Sequence, residues 1–324
     1  MQESKESINL MRLNCERIKL LNSKIYKDGK SKISFKRCGG FLRSRYNKLG
    51  VKGLFRSLYM FVKCKFGIMP IHDSHCFVPL ENVIVEDFMV ENYRYVGRGV
   101  VYTAIYGKYD TLKEPLFIND NLDYYVFTDQ NVPKESVWKK FDISCFSELK
   151  NLNSYHLSKY IKLFPYKFFS KYDFSIWVDG NIQLIADTYP LAIMAEGSAM
   201  ATYEHPSRNC IFTERNFILY YNRAPKSKLD RQIDDYVKSG FPKHFGIREF
   251  SIIYRNHQND ECKEIMEEWW RHINAYTMRD QLSLPFVLWS RGKNIDYVKS
   301  LGGNWRNNPR FMCYEHSRFE IYKK

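Results

Sequence analysis

The sequence predicts an α/β domain with a mostly parallel sheet flanked by helices, preceded by a basic helical extension. Three observations lead there. Short apolar, β-branched runs alternate with windows of helical period from residue 98 onward. The 324 residues are 44% hydrophobic and 16% aromatic, enough apolar surface for a full core. Charge is also unevenly placed. Residues 1–70 carry 17 Lys+Arg against 4 Asp+Glu, and the rest of the chain 33 against 32. The basic excess thus belongs to an N-terminal arm, and a nearly neutral body follows.

In the arm, Met11, Ile18, Leu21 and Ile25 fall at helical spacings interrupted by Asn14. That stripe suits a short oligomerisation helix, and hence a homo-oligomer, or a helix docked on the body. After the basic stretch from Lys27 to Arg37, residues 41–70 interleave Arg43, Arg45, Lys48, Lys52, Arg56, Lys63 and Lys65 with bulky apolar groups. This pattern fits an interfacial helix on an anionic membrane surface, where each Lys or Arg adds about 1 kcal/mol. An ordinary packed helix fits it too. No recognised nucleic-acid motif accompanies the arm, so no nucleic-acid partner is expected.

No run approaches the roughly 18–20 apolar residues of a membrane span, and Met1–Leu10 is too polar for a signal segment. The expected place is therefore the cytoplasm, peripheral on the inner face of the cell membrane. The eight cysteines form no C-x-x-C pair, which argues for reduced thiols rather than a metal finger.

Residues 71–97 read as a connector. Gly99–Ile105 is a buried strand ending in the turn Tyr106-Gly107-Lys108-Tyr109-Asp110, and Asp123–Asp129 is a second strand. Leu157, Tyr160, Ile161 and Phe164 mark an amphipathic helix, with Pro165 at a kink or a second start. Phe174–Val178, Ala199–Tyr203 and Phe250–Arg255 are further strands. Asp230–Ser239, Glu261–Tyr276 and Asp280–Trp289 are helices, the last interrupted by Pro285. Parallel sheets bind ligands beyond the carboxyl ends of their strands. The turns after Ile105, Phe127, Val178 and Tyr203 are the places to look for chemistry.

The most informative of these is Asp179-Gly180-Asn181, at the end of Phe174–Val178. A strand-end carboxylate, a glycine allowing close approach and a second side-chain oxygen can face one hard divalent cation. The same tripeptide is also a good turn sequence.

Three stretches together resemble one family: Thr103–Asp110, Lys159–Pro165 and Ser175–Ile182. His205-Pro206 with Arg208 and Cys210, and Arg279-Asp280-Gln281-Leu282-Ser283, resemble two further blocks. The family is the glycosyltransferase-like group of plant mucilage-related and bacterial polysaccharide-locus proteins. The resemblance spans about residues 98–318 and leaves the arm and the tail 319–324 outside.

The resemblance implies a GT-A-like (Rossmann-like) glycosyltransferase. It would move a sugar from a nucleotide-sugar donor, a UDP-sugar first among them, to a glycan or glycolipid acceptor. The growing chain would be a lipid-linked surface polysaccharide of capsule or lipopolysaccharide type. It also implies Mn²⁺ or Mg²⁺ held by Asp179, Asn181 and His316, although Asn181 stands where the family pattern has a second Asp. Lys159 and Lys162 would meet the phosphates. Asp280 would orient sugar hydroxyls or deprotonate the acceptor, leaving inverting and retaining routes both open. Thr103, Tyr106, Asp110, Asp179, Gly180, Arg279, Gln281, His205 and His257 would line the donor site. Two readings compete. A nucleotidyltransferase lacks its Gly-rich, Lys-bearing loop here. An inactive scaffold of a polysaccharide assembly complex would draw on the Asn181 departure.

Overall fold

The computed structural model describes residues 2–30, 83–220, 223–314 and 316. The interfacial pattern at 41–70, the first part of the connector and the tail 319–324 lie outside these residues.

The α/β class with a mostly parallel sheet flanked by helices, expected from the sequence, is the one that forms. Its centre is a seven-stranded sheet in the order β3-β2-β1-β4-β7-β6-β8. In chain order the strands are β1 (Gly99–Ile105), β2 (Leu122–Thr128), β3 (Lys139–Lys140), β4 (Phe174–Val178), β6 (Met200–Glu204), β7 (Arg248–Asn256) and β8 (Val298–Ser300). A separate antiparallel pair joins β5 (Ile182–Leu184) to β9 (Phe311–Cys313). Within the large sheet only β7 runs against its neighbours, pairing antiparallel with both β4 and β6. All other pairings are parallel.

β1 and β4 are buried at every position because both faces of the sheet are covered. On one face Tyr102, Phe127 and Trp177 pack with Ile161, Phe164, Trp269 and Val287. On the other, Val101, Ile176, Val178 and Ile252 pack with Leu191, Trp305 and Phe311. The helices that cover or flank the sheet include α2 (Ser154–Leu163), the single turn α3 (Pro165–Phe168), α4 (Pro190–Ala195), α5 (Ile211–Tyr220), α6 (Lys226–Lys238), α7 (Asp260–Ala275) and α8 (Asp280–Ser290). Pro165 starts α3 after a break at Phe164, because proline lacks the N–H that would continue α2.

The chain divides into two compact units, one of Met1–Glu16 with Val83–Lys324 and one of Arg17–Asn82. This differs from the division read from charge, which set residues 1–70 apart as one arm. The helix α1 runs from Lys5 to Lys30, and its first half belongs to the body. Met11 is fully buried there, so this residue of the expected oligomerisation stripe is already covered by its own chain. Asn14, which interrupts the stripe, donates through Nδ2 to the carbonyls of Pro309 and Phe311 at 2.8 and 2.9 Å. The sequence holds a signal for this boundary: residues 1–16 carry 2 Lys+Arg and 3 Asp+Glu, so the basic excess begins only at Arg17. Among the described residues no helix is long and apolar enough to cross a membrane.

Candidate active site

The carboxyl ends of β1, β2, β4 and β6 lie along one edge of the sheet, and the antiparallel β7 begins there. Asp179 follows β4 at this edge. Its N–H donates to the Ser251 carbonyl of β7 at 2.9 Å, and its carbonyl closes a turn by accepting from Ile182 N–H at 3.0 Å. Gly180 has no room for a side chain. A Cβ there would lie 2.7 Å from Ile105 Cγ1 and 3.5 Å from Asp110 Oδ2. The turn after β4 is thereby pressed against the end of β1, and Asp110 is drawn to the same place.

Four charged side chains from three segments converge here. The Asn153 side chain caps α2 by accepting from Tyr155 and His156 N–H. Lys159 and Lys162, three residues apart on that helix, share one face. Lys159 Nζ reaches both oxygens of Asp280, at 2.6 and 2.7 Å. Lys162 Nζ lies 2.9 Å from Asp280 Oδ2 and 3.4 Å from Asp179 Oδ1. Trp177 Nε1–H donates to the same Asp179 oxygen at 2.7 Å. Asp280 opens α8 without capping it. The N-cap position is Arg279, whose side chain makes no capping bond, and the Asp280 carboxylate goes to the two lysines instead.

Burial and the opposite charges pull against each other in this cluster. Burial would raise the Asp280 carboxyl, but Lys159 and Lys162 outweigh it and hold the group well below the usual carboxylate range. Burial also brings Lys159 down to about 8, a fall Asp280 offsets only in part and Lys162 deepens. For Lys162 the order reverses. Burial would lower it, yet Asp179 and Asp280 together raise it. Lys162 therefore stays a fixed cation.

Beside this cluster Asp110, 7% exposed, meets His316 Nδ1 at 2.9 and 3.1 Å from its two oxygens. The His316 ring also lies 4.6 Å from that of Tyr109. Gly107 takes a left-handed φ of 66°, which glycine allows at no steric cost. Its N–H donates to Asp129 Oδ2 at 2.9 Å. Lys108, Asp110, Thr111, Asp129, Gln130 and Asn131 line a cavity of about 550 Å³ beyond β1 and β2.

Two of the residues nominated for a cation, Asn181 and His316, each spend one nitrogen within the protein. Asn181 Nδ2 donates to the Tyr314 carbonyl at 2.9 Å and so ties the turn to the segment after β9. His316 is directed at Asp110. Among the described residues no group of three or more His, Cys, Asp or Glu side chains is placed to hold a metal ion.

The remaining nominated residues are spread along the edge or away from it. Tyr106 is partly buried beside the first core, and both burial and Asp129 push its hydroxyl pKa upward. Thr103 lies inside β1, 2% exposed, so it is core rather than a surface that meets a ligand. Arg279 precedes Asp280, and its Nε is buried without a hydrogen-bond partner among the described residues. Gln281 is partly exposed in the first turn of α8.

His205, just after β6, is buried between Arg208 and Glu214, and burial lowers its pKa. His257 is not brought to the site at all. It follows β7, and because β7 runs antiparallel, Asn256 pairs with Phe174 at the far edge of the sheet. Buried there against the Phe169 carbonyl, its imidazole is pushed down to about 4 by desolvation.

The same reversal supplies a residue that sequence reasoning missed. Glu249 lies near the start of β7, one residue after Arg248, which pairs with Glu204 at the end of β6. Its carboxylate accepts from Ser251 Oγ–H at 2.8 Å and lies 3.9 Å from Arg306 Nη1. Burial would raise the carboxyl, but Arg306 and His205 outweigh it and hold it below its ordinary range. Lys162 adds a smaller part to this lowering. A carboxylate at the start of a strand carries no signal unless that strand is known to run backwards.

A family model described as the TOD1/MUCI70 glycosyltransferase-like domain matches residues 61–298. A curated protein of Arabidopsis thaliana, the probable hexosyltransferase MUCI70, is 21% identical over 216 residues. That match covers 58% of this chain and 36% of the relative, so the chain spans about a third of the relative's length. Among solved structures, the bifunctional glycosyltransferase WbbM in its apo form superposes with a TM-score of 0.41 at 16% identity, over 69% of this chain and 46% of that one. The mannosyltransferase Ktr4p from S. cerevisiae gives 0.32 at 11% identity, over 59% and 66%.

Proposed function

The chain belongs to the TOD1/MUCI70 glycosyltransferase-like family, and from that premise we propose that it transfers a sugar from a nucleotide-sugar donor to a glycan acceptor. One observation carries the reading. Lys159, Lys162, Asp179 and Asp280 converge at the carboxyl edge of the parallel strands, next to the 550 Å³ cavity. Glycosyl transfer requires cationic groups where the departing diphosphate gathers charge, and the two lysines meet that need.

Asp280 is suited to hold sugar hydroxyls rather than to remove a proton. Two ammonium groups keep it ionised and of low proton affinity, which suits a hydrogen-bond acceptor and not a general base. The cavity lined by Lys108, Asp110 and Asp129 is the place for the nucleoside of a UDP-sugar. The acceptor would be a growing lipid-linked surface polysaccharide of capsule or lipopolysaccharide type. The basic residues from Arg17 onward would hold the enzyme peripherally at the inner face of the membrane where such acceptors reside.

The test is hydrolysis of a panel of UDP-, GDP- and dTDP-sugars without acceptor, comparing wild type with Asp179→Ala. Slow release of one nucleoside diphosphate, lost in the variant, supports the transferase. A second reading, an inactive scaffold in a polysaccharide assembly complex, draws on Asn181, whose amide is used in holding Tyr314. Folded protein that neither binds nor hydrolyses any member of the panel would favour the scaffold.

A further inference from the structure

We propose that Lys162, with Lys159, takes the place of the divalent cation in this site, so that the donor diphosphate is bound without metal. The inference rests on the transferase reading above and concerns how that site neutralises charge. It begins from the donor set. Among the described residues no three His, Cys, Asp or Glu side chains are grouped to hold a cation, while Asn181 spends its amide nitrogen on Tyr314 and His316 Nδ1 faces Asp110. Asp179 Oδ1 accepts from Trp177 Nε1–H at 2.7 Å, and its cationic partner is the Lys162 ammonium at 3.4 Å, which is shared with Asp280.

The charge balance is that of a metal site. Two carboxylates with one divalent cation are neutral, and so are Asp179 and Asp280 with Lys159 and Lys162. The position is also fixed in advance. Lys162 is 4% exposed, its Nζ lies 5.5 Å from the Trp177 ring centre, and its carbonyl accepts from Tyr102 O–H at 2.9 Å. Arg255 Nη1 donates to the same Tyr102 hydroxyl at 3.2 Å, anchoring it from β7. A cation held this way needs no reorganisation when a diphosphate arrives, the condition under which electrostatic stabilisation is largest. An ammonium also has three donors to divide between the carboxylates and phosphate oxygens.

The experiment is calorimetric titration of the full chain with UDP, GDP, ADP and dTDP, each in EDTA and then in MnCl₂ and MgCl₂. The expected result is that one nucleotide binds with the same Kd, within about threefold, in all three conditions. Lys162→Ala should weaken it at least tenfold in EDTA, about the loss of one charge-assisted contact. Mn²⁺ should restore part of that loss, since the variant leaves Asp179 and Asp280 without their shared ammonium. Lys162→Arg keeps the charge and guards against a folding defect, and it should bind without metal. Wild-type binding seen only with Mn²⁺ or Mg²⁺ would overturn the inference and leave the transferase standing. Folded wild type that binds no nucleotide in any condition would overturn both.

Discussion

Glu3 and Arg310, 307 positions apart, form a two-pronged ion pair inside the protein, with Nη1–Oε1 at 2.5 Å and Nη2–Oε2 at 2.8 Å. Their side chains are 0% and 1% exposed. Arg310 also donates to the carbonyls of Asp187 and Phe88, both at 2.7 Å. Ser7 Oγ–H donates to Glu3 Oε1 at 2.6 Å and accepts from Asp187 N–H at 3.0 Å. The start of the chain is thereby fastened to the residue before β9. That strand leads to Tyr314 and His316 at the active edge.

Removing one member of a buried pair leaves the other charge uncompensated, at a cost of about 3–5 kcal/mol. Glu3→Ala should therefore lower stability by that order in urea denaturation. Adding Arg310→Met should recover part of the loss. A Glu3→Ala protein as stable as wild type would show that the pair contributes nothing net.

Gly180→Ala places a methyl group 2.7 Å from Ile105 Cγ1, where buried neighbours leave little space. The expected cost is about 1–3 kcal/mol from overpacking, with weaker nucleotide binding as the turn moves off Asp110. Ile105→Ala, which removes the Cγ1 that the methyl would meet, should relieve part of the effect on binding. Thermal melts and calorimetry on the single and double variants decide the matter.

Lys159, lowered to about 8 by burial, should give nucleotide binding an alkaline limb near pH 8. Above it the ammonium that faces Asp280 is lost. The sign for stability is opposite. The folded pKa lies below the unfolded one, so the unfolded chain binds more protons between the two, and this group's contribution to stability rises from about pH 8 toward the ordinary lysine value. Binding that weakens while stability from this group gains is an unusual pairing. Lys159→Arg, which stays charged, should abolish the alkaline limb.

Glu249→Gln preserves shape and removes the charge opposite Arg306. Turnover should fall by about tenfold, because Arg306 then stands uncompensated at the edge where β6 ends, while nucleotide Kd changes little. Glu249 faces the edge where β6 ends, away from the cavity beyond β1 and β2. An equal loss of nucleotide affinity would instead place Glu249 on the donor.

Much of the edge could be read from the chain. Asp179 stands where strand periodicity ends, and Lys159 and Lys162 share a helix face by spacing alone. His257 and Glu249 show where that reading stopped. Glu249 lies in β7 and His257 just after it, and the strand's continuous burial is the same whichever way it runs. An assumed parallel direction sent His257 toward the site, whereas the antiparallel pairing sends it to the far edge and brings Glu249 in. Asn181 was legible as an oxygen beside Asp179, but its link to the Tyr314 carbonyl, 133 residues away, was not.

The sequence by itself determined the alternation of strands and helices, the ends of β1, β2, β4 and β6 to within a residue, and a basic excess toward the start of the chain. These are local properties, set by side-chain shape, periodicity and composition over a few residues. The tertiary structure decided which strand ends share an edge and which lysine meets which carboxylate. Lys159 and Lys162 reach Asp280 across 121 and 118 residues. Such pairings depend on the order and direction of strands in the sheet, which emerge only when the two buried faces are packed together.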